Sequence, residues 1–131
     1  IEMAHLAEPL MNPGGALITM SYYGADKVVR NYNMMGPVKA ALESSVRYMA
    51  HELGERDIRV FAVSPGPLRT RAASGIAHFD ELIDMAVARS PGRRLVDIAE
   101  VGRVVAFLVG GAASGLTGAV VYVNAGLHIV A

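Results

Sequence analysis

The residues best suited to chemistry are a tyrosine and a lysine, Tyr32 and Lys39, which lie seven positions apart. In a helix of about 100° per residue this spacing is nearly two turns, so both side chains would face the same side. An ammonium group beside a phenol favours the phenolate and lowers the phenol's pKa, and it can donate hydrogen bonds to a sugar hydroxyl. A second phenol, Tyr22, could reach the same cavity. Without context, the pair is also typical of a half-buried aromatic residue and a solvated lysine.

The segments around this pair predict that it lies at the end of a buried strand. The apolar run 16–20 is typical of a strand that is covered on both faces of a parallel sheet. A loop over 24–30 follows. Because Pro37 fits best within the first turn of a helix, we expect that helix to start near Asn33, with Tyr32 at its entrance. Open α/β sheets bind ligands outside the carboxyl ends of their strands, so the sequence predicts a ligand site here.

Two further apolar runs, 59–64 and 119–123, predict two more buried strands. The periodic apolar run through Leu53 predicts a long helix between the first two strands. Strand, helix and strand form one βαβ unit, so we expect a right-handed crossover. Asp97 and Glu100 have the spacing of a capping box, which predicts that a helix starts there. The fold class is therefore α/β, with three parallel strands.

Composition limits the possible partners. The chain has 131 residues, which suffice for one domain with a modest core. Its 12 basic and 12 acidic residues cancel and no basic stripe appears, so we expect neither nucleic acid nor anionic membrane as a partner. There is no cysteine, no apolar run of transmembrane length and no recognisable signal peptide. The four histidines lack metal-ligand spacing, so no metal site is predicted.

Four motifs, taken together, resemble one enzyme family. They occupy 21–24 (Ser-Tyr-x-Gly), 31–40 (Asn-Tyr-Asn-x-Met-Gly-x-x-Lys-Ala), 64–70 (Ser-Pro-Gly-Pro-Leu-Arg-Thr) and 72–76 (Ala-Ala-Ser-Gly-Ile). The chain resembles the bacterial NADH-dependent type I enoyl-acyl-carrier-protein reductases, a branch of the short-chain dehydrogenase/reductase superfamily. This resemblance implies the C-terminal half of a Rossmann-type doubly wound parallel sheet.

The spacing of tyrosine and lysine separates this branch from its relatives. Carbonyl-reducing members of the superfamily carry the tyrosine four residues before the lysine, and that position is Met35 here. In enoyl-thioester reduction the hydride reaches Cβ, while negative charge develops further along, on the thioester oxygen. A donor moved by about one helical turn suits that difference. A carbonyl-reducing short-chain dehydrogenase, such as a 3-oxoacyl reductase, is the alternative reading.

The resemblance also implies roles for individual residues. It assigns catalysis to Tyr32, Lys39 and Tyr22, and cofactor binding to Lys39, Ser21, Gly66, Leu68 and Thr70. It assigns substrate binding to Tyr22, Met35, Ala72, Ile76 and Phe79, with 72–87 as a flap over the acyl chain. An apolar stripe that begins at Phe79 is equally typical of plain core contact. The implied cofactor is NADH, with NADPH left open. The implied partners are an enoyl group on acyl carrier protein and further copies in a dimer of dimers, in the cytoplasm.

The N-terminal part of such a reductase is not recognisable. The chain starts with Ile1, and no Gly-rich turn for a dinucleotide pyrophosphate is present. No acidic residue can be assigned to an adenosine ribose. We therefore expect residues 1–131 to be the C-terminal part of a single reductase domain, with the dinucleotide phosphate-binding half absent from this chain. A non-catalytic cofactor-binding fragment is the second alternative.

Overall fold

A computed structural model of the chain describes residues 1–70 and 78–130. Helices separate the strands along the chain, and short 3-10 turns follow several of these helices and strands. The helices and strands are α1 (Glu2–Ala7), β1 (Ala16–Met20), α2 (Met35–Leu53), β2 (Arg59–Pro65), α3 (Phe79–Arg89), α4 (Ile98–Val109), β3 (Ala119–Val123) and α5 (Leu127–Val130). No helix within the described ranges is long and apolar enough to cross a lipid bilayer.

The three strands form one parallel sheet in the order β1-β2-β3. The register pairs Ala16 with Arg59 and Phe61 with Ala119. Every residue of the central strand β2 is buried, which is the environment that its continuous apolar run favours. The α/β class and the three parallel strands that the sequence predicts are confirmed, and β1 and β3 have the predicted bounds.

Helices cover both faces of the sheet. Alternate residues of a strand point to opposite faces. On one face, Val60 and Ala62 pack with buried residues of α2, among them Val46 and Ala50. On the other face, Phe61 and Val63 pack with α4 through Val101 and Leu108. This arrangement of helices is that of a doubly wound sheet.

A third cluster closes the carboxyl end of the sheet. Its buried members are Tyr23 and Val29 from the loop after β1, Ala86 from α3 and Leu127 from α5. Tyr22 and Tyr32 are partly buried against this cluster. The loop that carries both predicted tyrosines is therefore held by helices from the second half of the chain.

The long helix starts two residues later than predicted. It begins at Met35 rather than near Asn33. Asn31 and Asn33 have left-handed φ values of 63° and 49°, so neither can belong to a right-handed helix. Tyr32 thus lies in a turn before α2.

The predicted capping box is present at the start of α4, where Asp97 accepts a hydrogen bond from the backbone of Glu100.

Candidate active site

Lys39 contacts the carboxyl end of β1. Its Nζ atom donates a hydrogen bond to the carbonyl oxygen of Met20, the last residue of that strand, at 2.7 Å. Lys39 is half-buried and lies in the second turn of α2. An ammonium group has three N–H donors, so two remain for a ligand.

Tyr32 contacts the residues just after that strand. Its ring centroid lies 5.0 Å from that of Tyr22, and the ring of Tyr22 lies 4.6 Å from that of Tyr23. Gly24 makes room for the Tyr32 ring, because a Cβ atom on Gly24 would lie 2.6 Å from Cδ1 of Tyr32. Tyr32 and Lys39 therefore both meet the segment 20–24, although no hydrogen bond joins their side chains directly.

The left-handed turn around Tyr32 explains the asparagines that flank it. Asn31 and Asn33 both adopt positive φ, and asparagine tolerates this region better than most residues because its short side chain can form local hydrogen bonds. Sequence reasoning used these asparagines only as part of a motif. Their occurrence on either side of one tyrosine was the signal for a strained turn.

Burial raises the pKa of the Tyr32 phenol, whereas the sequence led us to expect a lowering by Lys39. The pKa rises because a partly buried phenolate loses hydration, and because the ammonium group of Lys39 binds the Met20 carbonyl instead of the phenol. Tyr32 is therefore protonated at neutral pH. A neutral phenol can donate a hydrogen bond or a proton.

Tyr22 is also a neutral phenol. Burial is the main cause of its raised pKa, and the neighbouring Tyr23 raises it further. The Tyr22 hydroxyl is buried and has no partner in good hydrogen-bond geometry within 1–70 and 78–130. Such a group costs stability, and a bound polar group could satisfy it.

Two more buried polar atoms at the same end of the sheet lack a partner among the described residues. They are the hydroxyl of Ser64 in β2 and the side-chain nitrogen of Asn124 after β3. Buried polar groups are nearly always hydrogen-bonded, so the unsatisfied atoms of Ser64 and Asn124 at the strand ends fit a polar ligand such as a nicotinamide nucleotide. Gly66 donates its N–H to the Val123 carbonyl at 3.0 Å. The backbone of Gly66 lies close to Asn124, since a Cβ atom on Gly66 would be 3.3 Å from the Cβ atom of Asn124.

The remaining cofactor candidates differ in burial. Ser21 is buried directly after β1. Leu68 is half-buried and packs on the α4 face of the sheet. Thr70 is exposed at the end of the same segment.

The structure places three of the five substrate candidates. Tyr22 lies in the tyrosine group described above. Met35 is the first residue of α2 and is 45% exposed. Phe79 is the first residue of α3 and is half-buried. Ala72 and Ile76 lie outside the described residues.

A cavity of about 560 Å³ lies beside the turn that holds Tyr32. Its lining comprises the loop 24–33 and the α2 residues Gly36, Pro37 and Ala40. The volume is within the range of small-molecule sites. Tyr32 lines this cavity and Lys39 does not, so the predicted pair does not share it.

Sequence reasoning missed one buried polar pair. The hydroxyl of Ser21 donates to the carboxylate of Glu43 at 2.5 Å, and both residues are buried. The available signal was the spacing of Glu43 and Lys39, which lie one helical turn apart. No group of three or more acidic or histidine side chains that could hold a metal ion occurs within the described part of the chain.

Comparison with known proteins identifies the family. A family model described as Enoyl-(Acyl carrier protein) reductase matches residues 1–128. The chain is 46% identical over 131 residues to the enoyl-acyl-carrier-protein reductase (NADH) FabI of Escherichia coli, covering 100% of this chain and 50% of that protein. It is 43% identical over 129 residues to that of Enterococcus faecalis, covering 98% and 52%. The chain thus spans about half the length of the curated relatives it matches.

Solved structures agree with this match. The enoyl-acyl-carrier-protein reductase (NADH) of Aquifex aeolicus superposes with a TM-score of 0.93 at 42% identity, covering 97% of this chain and 50% of that chain. The reductase of Anaplasma phagocytophilum, in complex with NAD, gives 0.90 at 43% identity, covering 98% and 47%. The chain belongs to the enoyl-acyl-carrier-protein reductase family.

Proposed function

We propose that the protein carrying this chain reduces the trans-2 double bond of enoyl thioesters on acyl carrier protein, with NADH as the reductant, in fatty acid synthesis. Its curated relatives are named as NADH-dependent enoyl-acyl-carrier-protein reductases. The observation that carries the proposal is that Tyr32 and Lys39 both contact the segment 20–24 at the carboxyl end of β1. Ligands of doubly wound sheets bind at that end.

In this proposal Tyr32 acts on the thioester oxygen. A phenol is protonated at neutral pH and burial raises the pKa of this one further, so Tyr32 can donate a hydrogen bond to the oxygen as negative charge develops there. A reduced nicotinamide, when bound, would supply the hydride to Cβ. The seven-residue spacing of Tyr32 and Lys39 suits an oxygen that lies beyond the carbon receiving the hydride.

Lys39 is proposed to hold the cofactor. One of its N–H donors binds the Met20 carbonyl, and the other two would bind hydroxyl groups of the nicotinamide ribose. Ser21, Gly66, Leu68 and Thr70 would form the rest of the cofactor wall. The unsatisfied Ser64 and Asn124 atoms at the strand ends support a polar ligand there.

The substrate residues and the assembly remain proposals as well. Tyr22, Met35 and Phe79 would line the acyl-chain cavity, together with Ala72 and Ile76. A homotetramer built as a dimer of dimers, and a cytoplasmic location, are predictions that rest on the family resemblance. The expectation that residues 1–131 form the C-terminal part of one domain also stays a prediction.

The test is NADH oxidation by the protein that carries this chain, with a crotonyl thioester as substrate. Tyr32→Phe removes only the hydroxyl, so we expect kcat to fall by about 10²- to 10³-fold. Tyr48 is 69% exposed on α2, and Tyr48→Phe is the matched control that should keep full activity. Unchanged turnover by Tyr32→Phe would contradict the role of this phenol.

A substrate panel separates the two reductase classes. The same protein is assayed with a 3-oxoacyl thioester in place of the crotonyl thioester. We expect the protein to oxidise NADH with the crotonyl thioester and not with the 3-oxoacyl thioester. Preference for the 3-oxoacyl thioester would favour the carbonyl-reducing alternative, and no oxidation with either would favour a non-catalytic protein.

A further inference from the structure

Glu43 is the only buried carboxylate of residues 1–70 and 78–130, with 8% of its surface exposed. Glutamate is seldom buried unless it is paired. Within those ranges no basic side chain forms an ion pair with Glu43, and its partner is the hydroxyl of Ser21 at 2.5 Å. A buried carboxylate held by a hydroxyl group is costly compared with an apolar side chain of the same volume. An apolar residue would serve stability at least as well at this position, which raises the question of what Glu43 contributes.

Glu43 and Lys39 bind consecutive residues at the end of β1 from consecutive turns of α2. Lys39 donates to the carbonyl of Met20, and Glu43 accepts from the side chain of Ser21. The backbone N–H of Ser21 also donates to the Val63 carbonyl at 2.7 Å. Ser21 is thus tied to β2 through its backbone and to α2 through its side chain.

The first turns of α2 lack apolar anchors. The buried residues of this helix are Glu43, Val46, Ala50 and Leu53, so Glu43 is the first of them along the chain. The later three pack on the sheet. The first turn of α2 instead meets the turn after β1 through backbone, since a Cβ atom on Gly36 would lie 3.0 Å from the carbonyl oxygen of Gly24. Backbone contact alone does not fix the position of a side chain on the helix, whereas the polar contacts of Glu43 and Lys39 join that end of α2 to β1 through side chains.

We propose that Glu43, acting through Ser21, is a positioning residue for Lys39. It holds the start of α2 in the rotation that keeps one N–H of Lys39 on the Met20 carbonyl and presents the other two to the cofactor. This inference rests on the proposed function, which assigns cofactor binding to Lys39.

The test measures binding of NADH to the protein that carries this chain, by fluorescence titration. Glu43→Met keeps the volume of the side chain but removes the acceptor, and we expect about three- to tenfold weaker binding. Glu43→Gln keeps an oxygen that can accept from Ser21, and we expect binding within about twofold of the wild type. Glu52 is exposed on the same helix, so Glu52→Met is the matched control and should bind NADH normally.

A double-mutant cycle separates positioning from general stability. Lys39→Ala alone should weaken NADH binding about tenfold. If Glu43 acts through Lys39, adding Glu43→Met to Lys39→Ala should weaken binding no further. If the two substitutions weaken NADH binding independently, so that their fold-changes multiply in the double variant, the inference is wrong. It is also wrong if Glu43→Gln binds NADH as weakly as Glu43→Met. Thermal unfolding of each variant is measured in parallel, so that binding is compared only among variants that are folded at the assay temperature.

The outcomes also separate this inference from the proposed function. If Lys39→Ala binds NADH as tightly as the wild type, the proposed role of Lys39 is wrong and the inference fails with it. If Lys39→Ala weakens binding while Glu43→Met leaves it unchanged, the proposed function stands and the positioning role of Glu43 is wrong.

Discussion

Arg59 offers a strong test of how the sheet is joined to α4. It is the first residue of β2 and only 6% exposed. Its guanidinium donates to the carbonyl oxygens of Leu108 at 2.6 Å and Val109 at 3.2 Å, the last two residues of α4. It also donates to the carbonyls of Ala113 and Gly14, both at 3.1 Å. A cation at a helix C-terminus interacts favourably with the helix dipole.

The substitution Arg59→Met keeps much of the side-chain volume and removes the guanidinium donor from these four carbonyls, of which that of Ala113 still accepts from the Leu116 N–H at 3.0 Å. A hydrogen bond to a charged group contributes about 1.5–3 kcal/mol, but the bonds share one guanidinium whose burial is itself costly. We therefore expect a net loss of about 3–5 kcal/mol in the free energy of unfolding, because several buried carbonyl groups are left unsatisfied at about 1–3 kcal/mol each while the cost of burying the guanidinium is removed.

Urea unfolding of the protein that carries this chain measures this loss. Arg56 is the matched control, because its ion pair with Glu8 is partly exposed to solvent; Arg56→Met should cost less than about 1 kcal/mol. A loss for Arg59→Met as small as that of Arg56→Met would refute the reasoning. It would show that solvent or neighbouring groups satisfy the α4 carbonyls without the guanidinium.

Two further predictions concern the tyrosine site and pH. Gly24→Ala places a Cβ 2.6 Å from the Tyr32 ring, so we expect kcat to fall about tenfold or more, whereas Gly102→Ala, with open space around it, should leave kcat unchanged. The hydrogen bond from Arg94, with the Asp97 backbone, lowers the pKa of Glu100 from 4.5 to about 2. The stabilisation that the ionised Glu100 contributes is thus fully present above pH 4.5 and is lost as pH falls towards 2. The free energies of unfolding of the wild type and Glu100→Gln should therefore converge over that interval. A difference that stays constant with pH would contradict this assignment.

The strands and the capped helix were predictable because their signals are local. The apolar runs 16–20 and 119–123 are strands with those bounds, since a run without polar residues suits a strand covered on both faces. Asp97 and Glu100 form their capping box within three residues of each other. The start of α2 was less predictable, because Pro37 also fits a later first turn and Asn31 adopts a conformation that many asparagines do not.

Of the candidate site, the sequence by itself determined the residue types and the spacing of Tyr32 and Lys39, together with the family to which they belong. Only the tertiary structure decided the environment of each group. Burial by residues distant in sequence raises the pKa of Tyr32, reversing the expected direction. The partners of Glu43 and Arg59 lie 22 and at least 45 residues away. Hydration and long-range hydrogen bonds depend on which segments meet in space, and no local pattern in a single sequence records that.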